Sequence, residues 1–262
     1  MSDFDRNATA RFGGRVARAG AAEIDQGLRS YMLGVYNNMV LGLAITGLVA
    51  LGTHMLAVAA PGADAAARIG SNIYLTGFGA AIYLSPLRYV VMLAPLAFVF
   101  FFSFRVDRMA ASTARTMFLA FSAVMGLSIS SILLVYTGSS VANAFFVTAA
   151  TFGGLSLYGY TTRRSLSAMG SFLIMGLIGL VIASVVNIFL QSTGFQFALS
   201  ILSVLIFSGL TAWDTQAIKE MYFEGDGAEI TAKKSVNGAL MLYLDFINIF
   251  QSLLYLMGNR NN

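Results

Sequence analysis

The chain contains no cysteine and a single histidine, His54. The first absence removes disulfides, thiolate nucleophiles and Cys-bound zinc. The second removes any site built from several imidazoles, including the H-E-x-x-H metalloprotease motif. Charge is also scarce: Asp, Glu, Lys and Arg make up 11% of the 262 residues. No proline follows Pro95, so nothing of that kind interrupts the second half of the chain. Against these absences, 57% of the residues are hydrophobic, with 21 phenylalanines among them. The mean hydropathy is +0.74. Soluble domains do not have this composition, whereas integral membrane proteins do. The net charge of +4 comes from basic residues that flank apolar runs. An anionic bilayer surface is therefore the expected partner, and nucleic acid is not.

Residues 1–30 form a polar tail rich in arginine (Arg6, Arg11, Arg15, Arg18 and Arg29). It has no apolar core of signal-peptide length and is expected to be a flexible, uncleaved segment. Arg11, Arg15 and Arg18 would share one helical face if the tail met lipid headgroups. Residues 31–262 then carry seven apolar segments. They are expected at Tyr31–Ala59, Ile82–Phe104, Thr116–Tyr136, Val141–Tyr160, Met169–Leu190, Phe195–Ile218 and Asn237–Met257. Each is long enough to cross a hydrocarbon core of about 30 Å as a helix. Pro61-Gly62 ends the first, Asp64, Arg68 and Asn72 occupy the loop after it, and Pro86 and Pro95 flank or kink the second.

Loop charges give an orientation. With the N-terminus inside, thirteen Lys and Arg residues face the cytoplasm and three, Arg68, Arg88 and Arg260, face outward. That asymmetry obeys the positive-inside rule. Seven spans place the C-terminus outside. Six would leave Asn237–Met257 re-entrant, but this segment is as long and as apolar as the others. A bacterial inner membrane suits the basic inner loops.

Two carboxylates lie inside apolar spans, Asp214 on the sixth and Asp245 on the seventh. Asp214 lies about 6 Å from the inner end of its span and Asp245 about 12 Å in. Consecutive spans joined by one loop are usually neighbours, so the two can meet. Two adjacent carboxylates in a low dielectric cannot both ionise cheaply and tend to share one proton. Losing that proton would push two packed helices apart, which makes a pH-operated latch. Arg105, at the inner end of the second span, has the depth to hold the ionised form. The pair is also a weak candidate for contact with a hard cation such as Ca²⁺. On the seventh span Gly238, Asp245, Asn248, Ser252, Tyr255 and Asn259 fall close to one stripe, and Asn248 and Ser252 would line a path beyond the pair. The plainer alternative is an aspartate that caps local backbone or pairs with Lys219.

The segments A-W-D-T-Q-A-I-K at 212–219 and L-Y-L-D-F-I-N-I-F at 242–250 resemble the two hallmark stretches of the Bax inhibitor-1 family. The resemblance covers roughly residues 30–258. It implies an all-α integral membrane protein of seven transmembrane helices, the C-terminal one central and surrounded by the other six. It implies a pH-sensitive Ca²⁺ leak gated by the aspartate pair, which maps onto Asp214 and Asp245. The family's latch arginine maps onto Arg105, or less well onto Arg108. Tyr255 stands where relatives carry a basic residue.

Two other classes remain. An intramembrane aspartyl protease also sets one aspartate on each of two consecutive helices. Such enzymes carry G-x-G-D where this chain has Leu242-Tyr243-Leu244-Asp245, and no downstream P-A-L exists. A serine hydrolase lacks its G-x-S-x-G. The other class is a non-transporting regulatory protein that binds partners. The expectation is no enzyme and no cofactor, with Ca²⁺ and protons as cargo. E-G-D-G-A-E at 224–229 lacks EF-hand spacing and reads as a turn. Asn187, Gln191, Ser128 and Ser131 read as interhelical hydrogen bonds, Trp213 as an interfacial anchor, and Arg88 as a side chain snorkelling outward.

Overall fold

A computed structural model describes residues 3–59, 65–69, 73–105 and 108–261, with side chains from Gln26 onward except Ser103. Arg6, Arg11, Arg15 and Arg18 fall outside the described side chains, and Pro61, Gly62, Asp64 and Asn72 outside the described residues. The elements run α1 (Asp3–Ala57), β1 (Ala67–Ile69), β2 (Ile73–Leu75), α2 (Gly77–Tyr83), α3 (Leu87–Arg105), α4 (Ala111–Ile129), α5 (Ile132–Val135), α6 (Gly138–Thr161), α7 (Ser167–Leu190), α8 (Thr193–Glu220) and α9 (Ala228–Met257).

Six of these stretches are long and apolar enough to cross a membrane: Gln26–Ala57, Ala111–Val135, α6, α7, α8 and α9. A seventh exists if α2 and α3, bent by 61° at their junction, count as one broken span. The segment that departs from a plain span is thus the second, not Asn237–Met257. The break follows from Pro86, which has no N–H to continue the ladder. Ser85 marks the new start, its hydroxyl accepting from the Leu87 N–H and donating to the Ala81 carbonyl. The first loop holds a feature that hydropathy does not signal: β1 and β2 pair antiparallel, Arg68 opposite Tyr74.

Residues with large apolar side chains face outward along α3 and α7, among them Phe104, Phe172 and Phe189. This is the pattern of helices in lipid rather than in water. The core lies along α9, which packs against α1, α4, α6 and α8. Among the helices it buries Leu242, Tyr243, Phe246, Ile249 and Leu254. Tyr243 is fully buried, with the rings of Phe118 and Phe121 edge-on to it at 5.7 Å. Its hydroxyl bonds the Thr46 hydroxyl at 2.6 Å, tying α9 to α1. Tyr243→Phe is expected to cost about 0.5–1.5 kcal/mol, read as a lower melting temperature in detergent.

α4 begins at Ala111, five residues before the expected Thr116, and its N-cap, Ala110, makes no side-chain cap bond. Glu229 supplies the cap from the start of α9, accepting from the Ala111 N–H. A carboxylate there also meets the positive end of the helix dipole. Glu229→Ala should lower stability by about 1 kcal/mol, and Glu229→Gln by less, in the same melting assay.

Candidate functional site

The segment Trp213–Gln216 on α8 assigns each side chain to a different neighbour. Trp213 lies over Gly170 of α7, where even a Cβ would fall 2.3 Å from the ring. Asp214 meets Asp245 of α9, the two carboxyl groups in hydrogen-bonding contact. Thr215 is fully buried and bonds Ser156 of α6 at 3.0 Å, and Ser156 in turn bonds Tyr36 of α1 at 2.6 Å. Gln216 accepts from the Leu166 N–H and donates to the Arg164 carbonyl, fixing the α6–α7 connection. One turn of helix thereby joins α1, α6, α7 and α9 around Asp214.

Asp214 is 8% exposed and Asp245 3%. Asp214 Oδ1 and Asp245 Oδ2 are buried, and no N–H or O–H group among the described residues donates to either. A buried carboxylate is normally satisfied by donors or by a cation. The alternative of an aspartate paired with Lys219 is not what the structure holds. Lys219 donates to the Tyr160 carbonyl at 2.8 Å and lies over the Tyr160 ring.

The contact sits on a regular seam. Gly238, Asp245 and Ser252 of α9 face Ile218, Asp214 and Ser203 of α8. On α9 the three recur every seven residues, or two helical turns, so they share one face toward α8, where their partners stand four and eleven residues apart. A Cβ on Gly238 would fall 2.9 Å from Ile218, so the helices approach closely just below the pair. Ser252 donates to Ser203 at 2.8 Å just above it. Asn248, expected to line a path, instead turns its amide onto the Leu244 carbonyl of its own helix.

The structure does not bring Arg105 to the pair. Arg105 is exposed and lies over the Phe101 ring, on a helix whose neighbours are α2 and α4. Arg108 is exposed in the loop before α4. Among the described residues no three His, Asp or Glu side chains gather as a metal cluster. Of E-G-D-G-A-E only residues 224–227 form a turn, Ala228 and Glu229 opening α9; Asp226 pairs with Lys234, whose ammonium also donates to the Met221 carbonyl. Asn187 bonds Gln196 across the α7–α8 turn, where Gln191 takes a left-handed conformation at φ 50°. The Ser131 hydroxyl donates to the Ser128 carbonyl of its own segment, and it is Ser130 that reaches another helix, bonding Tyr83. Thr46, Tyr36 and Ser156 were not singled out from sequence. Their partners Tyr243 and Thr215 sit beside the two aspartates, inside L-Y-L-D-F and W-D-T-Q, and that adjacency was the available signal.

The sequence pattern of the family described as "Inhibitor of apoptosis-promoting Bax1" matches residues 28–262. Among similar proteins, the uncharacterized protein RP147 of Rickettsia prowazekii is 43% identical, over 91% of this chain and 93% of its own. An uncharacterized protein of Caulobacter vibrioides is 41% identical, over 99% of this chain and 100% of its own. The inner membrane protein YbhL of Escherichia coli is 41% identical, over 89% of this chain and 93% of its own. With that pattern matched from α1 to the C-terminus, and with several apolar helices packed around the joined Asp214 and Asp245, the chain belongs to the Bax inhibitor-1 family of membrane proteins.

Proposed function

We propose that this protein is a proton-regulated Ca²⁺ leak of a bacterial inner membrane. It acts without a catalytic step or a resident cofactor, and its partners are the bilayer, Ca²⁺ and protons. The observation that carries the reading is the buried contact between Asp214 and Asp245, in which each carboxyl keeps one oxygen to which no N–H or O–H group among the described residues donates. Intramembrane acids are costly to bury and are typically retained for ion or proton traffic. Side by side, the two carboxyls share one proton, and the charge of the pair depends on pH.

The two aspartates offer few ligands beside the six to eight oxygens that Ca²⁺ prefers. That favours a transient contact during passage over a tight resident site. Because Arg105 and Arg108 stand away from the pair, the shared proton carries the regulation in this reading, without an arginine latch. Ser252 and Asn248 lie farther along α9 and become path-lining when α8 and α9 separate. Seven spans, with α2 and α3 as one broken span and α9 innermost, set the N-terminus in the cytoplasm and the C-terminus outside.

The test is Ca²⁺ entry into liposomes holding the purified protein, followed by an enclosed indicator from about pH 5 to about pH 8. Flux above empty liposomes that varies with pH is expected. Flux equal to that of empty liposomes at every pH would sink the leak and leave a regulatory or proteolytic role to be assayed.

A further inference from the structure

At the end of the bundle that holds the C-terminus lies a cavity of about 610 Å³, within the size range of small-ligand sites. Its walls come from the β hairpin (Ile69, Ile73), the broken span (Ile82, Met92) and the α4–α5 region (Leu134, Val135). The wall is predominantly apolar, but two arginines, Arg88 and Arg260, also line it. These are two of the three basic residues that the charge asymmetry of the chain leaves on this side.

Neither arginine is placed by accident. Residues after α9 are sewn to the α5–α6 junction by backbone pairing. The Thr137 N–H donates to the Asn259 carbonyl, the Asn261 N–H to the Val135 carbonyl, and Tyr136 bridges Arg260. The Asn261 amide adds bonds to the Leu134 and Tyr136 carbonyls. Arg260 is held over the Tyr255 ring and Arg88 over the Tyr89 ring. Neither is in an ion pair among the described residues, so both guanidinium groups keep donors for an anion. The flanking Tyr89, Val90 and Met92 are exposed and apolar, so the cavity opens toward lipid and not only toward water.

We propose that this cavity binds one anionic phospholipid, its phosphate held between Arg88 and Arg260 and an acyl chain lying along Ile82, Met92 and Leu134. Apolar walls select a chain, paired guanidinium groups select a phosphate, and the rings beneath them suit the interfacial depth where headgroups lie. The occupant is a lipid and not a soluble anion, because most of the wall gains nothing from a phosphate alone.

The experiment uses the full chain in a neutral detergent. Its melting temperature is titrated with phosphatidylglycerol, with phosphatidylcholine, and with glycerol phosphate, which has no acyl chain. Phosphatidylglycerol should stabilise at the lowest concentration and glycerol phosphate should not stabilise at all. Arg88→Gln with Arg260→Gln should weaken the phosphatidylglycerol response roughly 25-fold, about fivefold for each arginine. Arg88→Lys with Arg260→Lys should recover part of it. If the double glutamine variant does not fold, Arg260→Gln alone, changed only in the tail, should still show its fivefold loss. Equal response to both lipids, stabilisation by glycerol phosphate, or an unchanged response in the glutamine variants would overturn the site.

Discussion

Asp245→Asn is expected to flatten the pH dependence of Ca²⁺ flux while leaving the protein folded. Asparagine keeps the shape of the aspartate and places an amide against the Asp214 carboxyl, where the two carboxyl groups now touch. The amide N–H donates as the shared proton does, but it does not leave with rising pH. A pair sharing one proton changes its population by at most about tenfold per pH unit, and the variant loses that slope. Asp245→Leu makes the contrast. It strips Asp214 of its partner in a site where no described N–H or O–H group donates to Oδ1, and should cost about 1–3 kcal/mol. Flux that varies with pH equally in wild type and Asp245→Asn would keep the leak and reject the pair as its sensor.

Gly159→Val should have the largest effect on stability, about 2–3 kcal/mol, measured as the melting temperature in detergent. A Cβ at Gly159 would fall 2.1 Å from the Ala212 carbonyl oxygen and 3.0 Å from its Cα. Those atoms are backbone, so no side chain can swing aside, and α6 and α8 must separate. The displaced turn is the one that carries Asp214 and holds Thr215 against Ser156. Gly153 lies on the same helix with nothing within 4 Å of its Cβ direction. Gly153→Ala should therefore be neutral or stabilising by up to about 1 kcal/mol, because alanine is the better helix former. Equal losses at both positions would show that helix propensity, rather than close approach, sets the cost.

The spans were legible because apolar length is a strong signal in lipid, and α6 and α7 begin and end within three residues of their expected bounds. α9 was not, since its first nine residues, Ala228–Val236, include Lys233 and Lys234 and read as loop to hydropathy. In the structure they form the helical stem that carries Glu229 to α4. Pro86 was visible as a disruption, but its result, two helices at 61°, depends on how Ser85 caps the second piece. The aspartate pair could be anticipated because depth along two adjacent helices is nearly enough to bring them together. Depth does not fix which side of the bundle a helix occupies. Arg105 has the right depth, but α3 packs on α2 and α4, away from the α8–α9 seam. Asn248 shows a similar limit: a stripe gives the face of a helix but not the bond its amide will make.

The position of α9 also bears on the order in which the protein is built. This helix buries a carboxylate and a tyrosine hydroxyl and carries charge in its first turns, so it is poorly suited to wait in lipid alone. Synthesis runs from the N-terminus, and every helix it packs against, α1, α4, α6 and α8, has already left the ribosome when α9 emerges. The last helix thus meets a finished receptacle, and α8, released immediately before it, presents Asp214 as the first polar contact Asp245 can find. A chain cut before α9 would leave Asp214, Thr46 and Ser203 without the Asp245, Tyr243 and Ser252 they meet on it, so the polar groups of the earlier helices are satisfied only once the last one is in place.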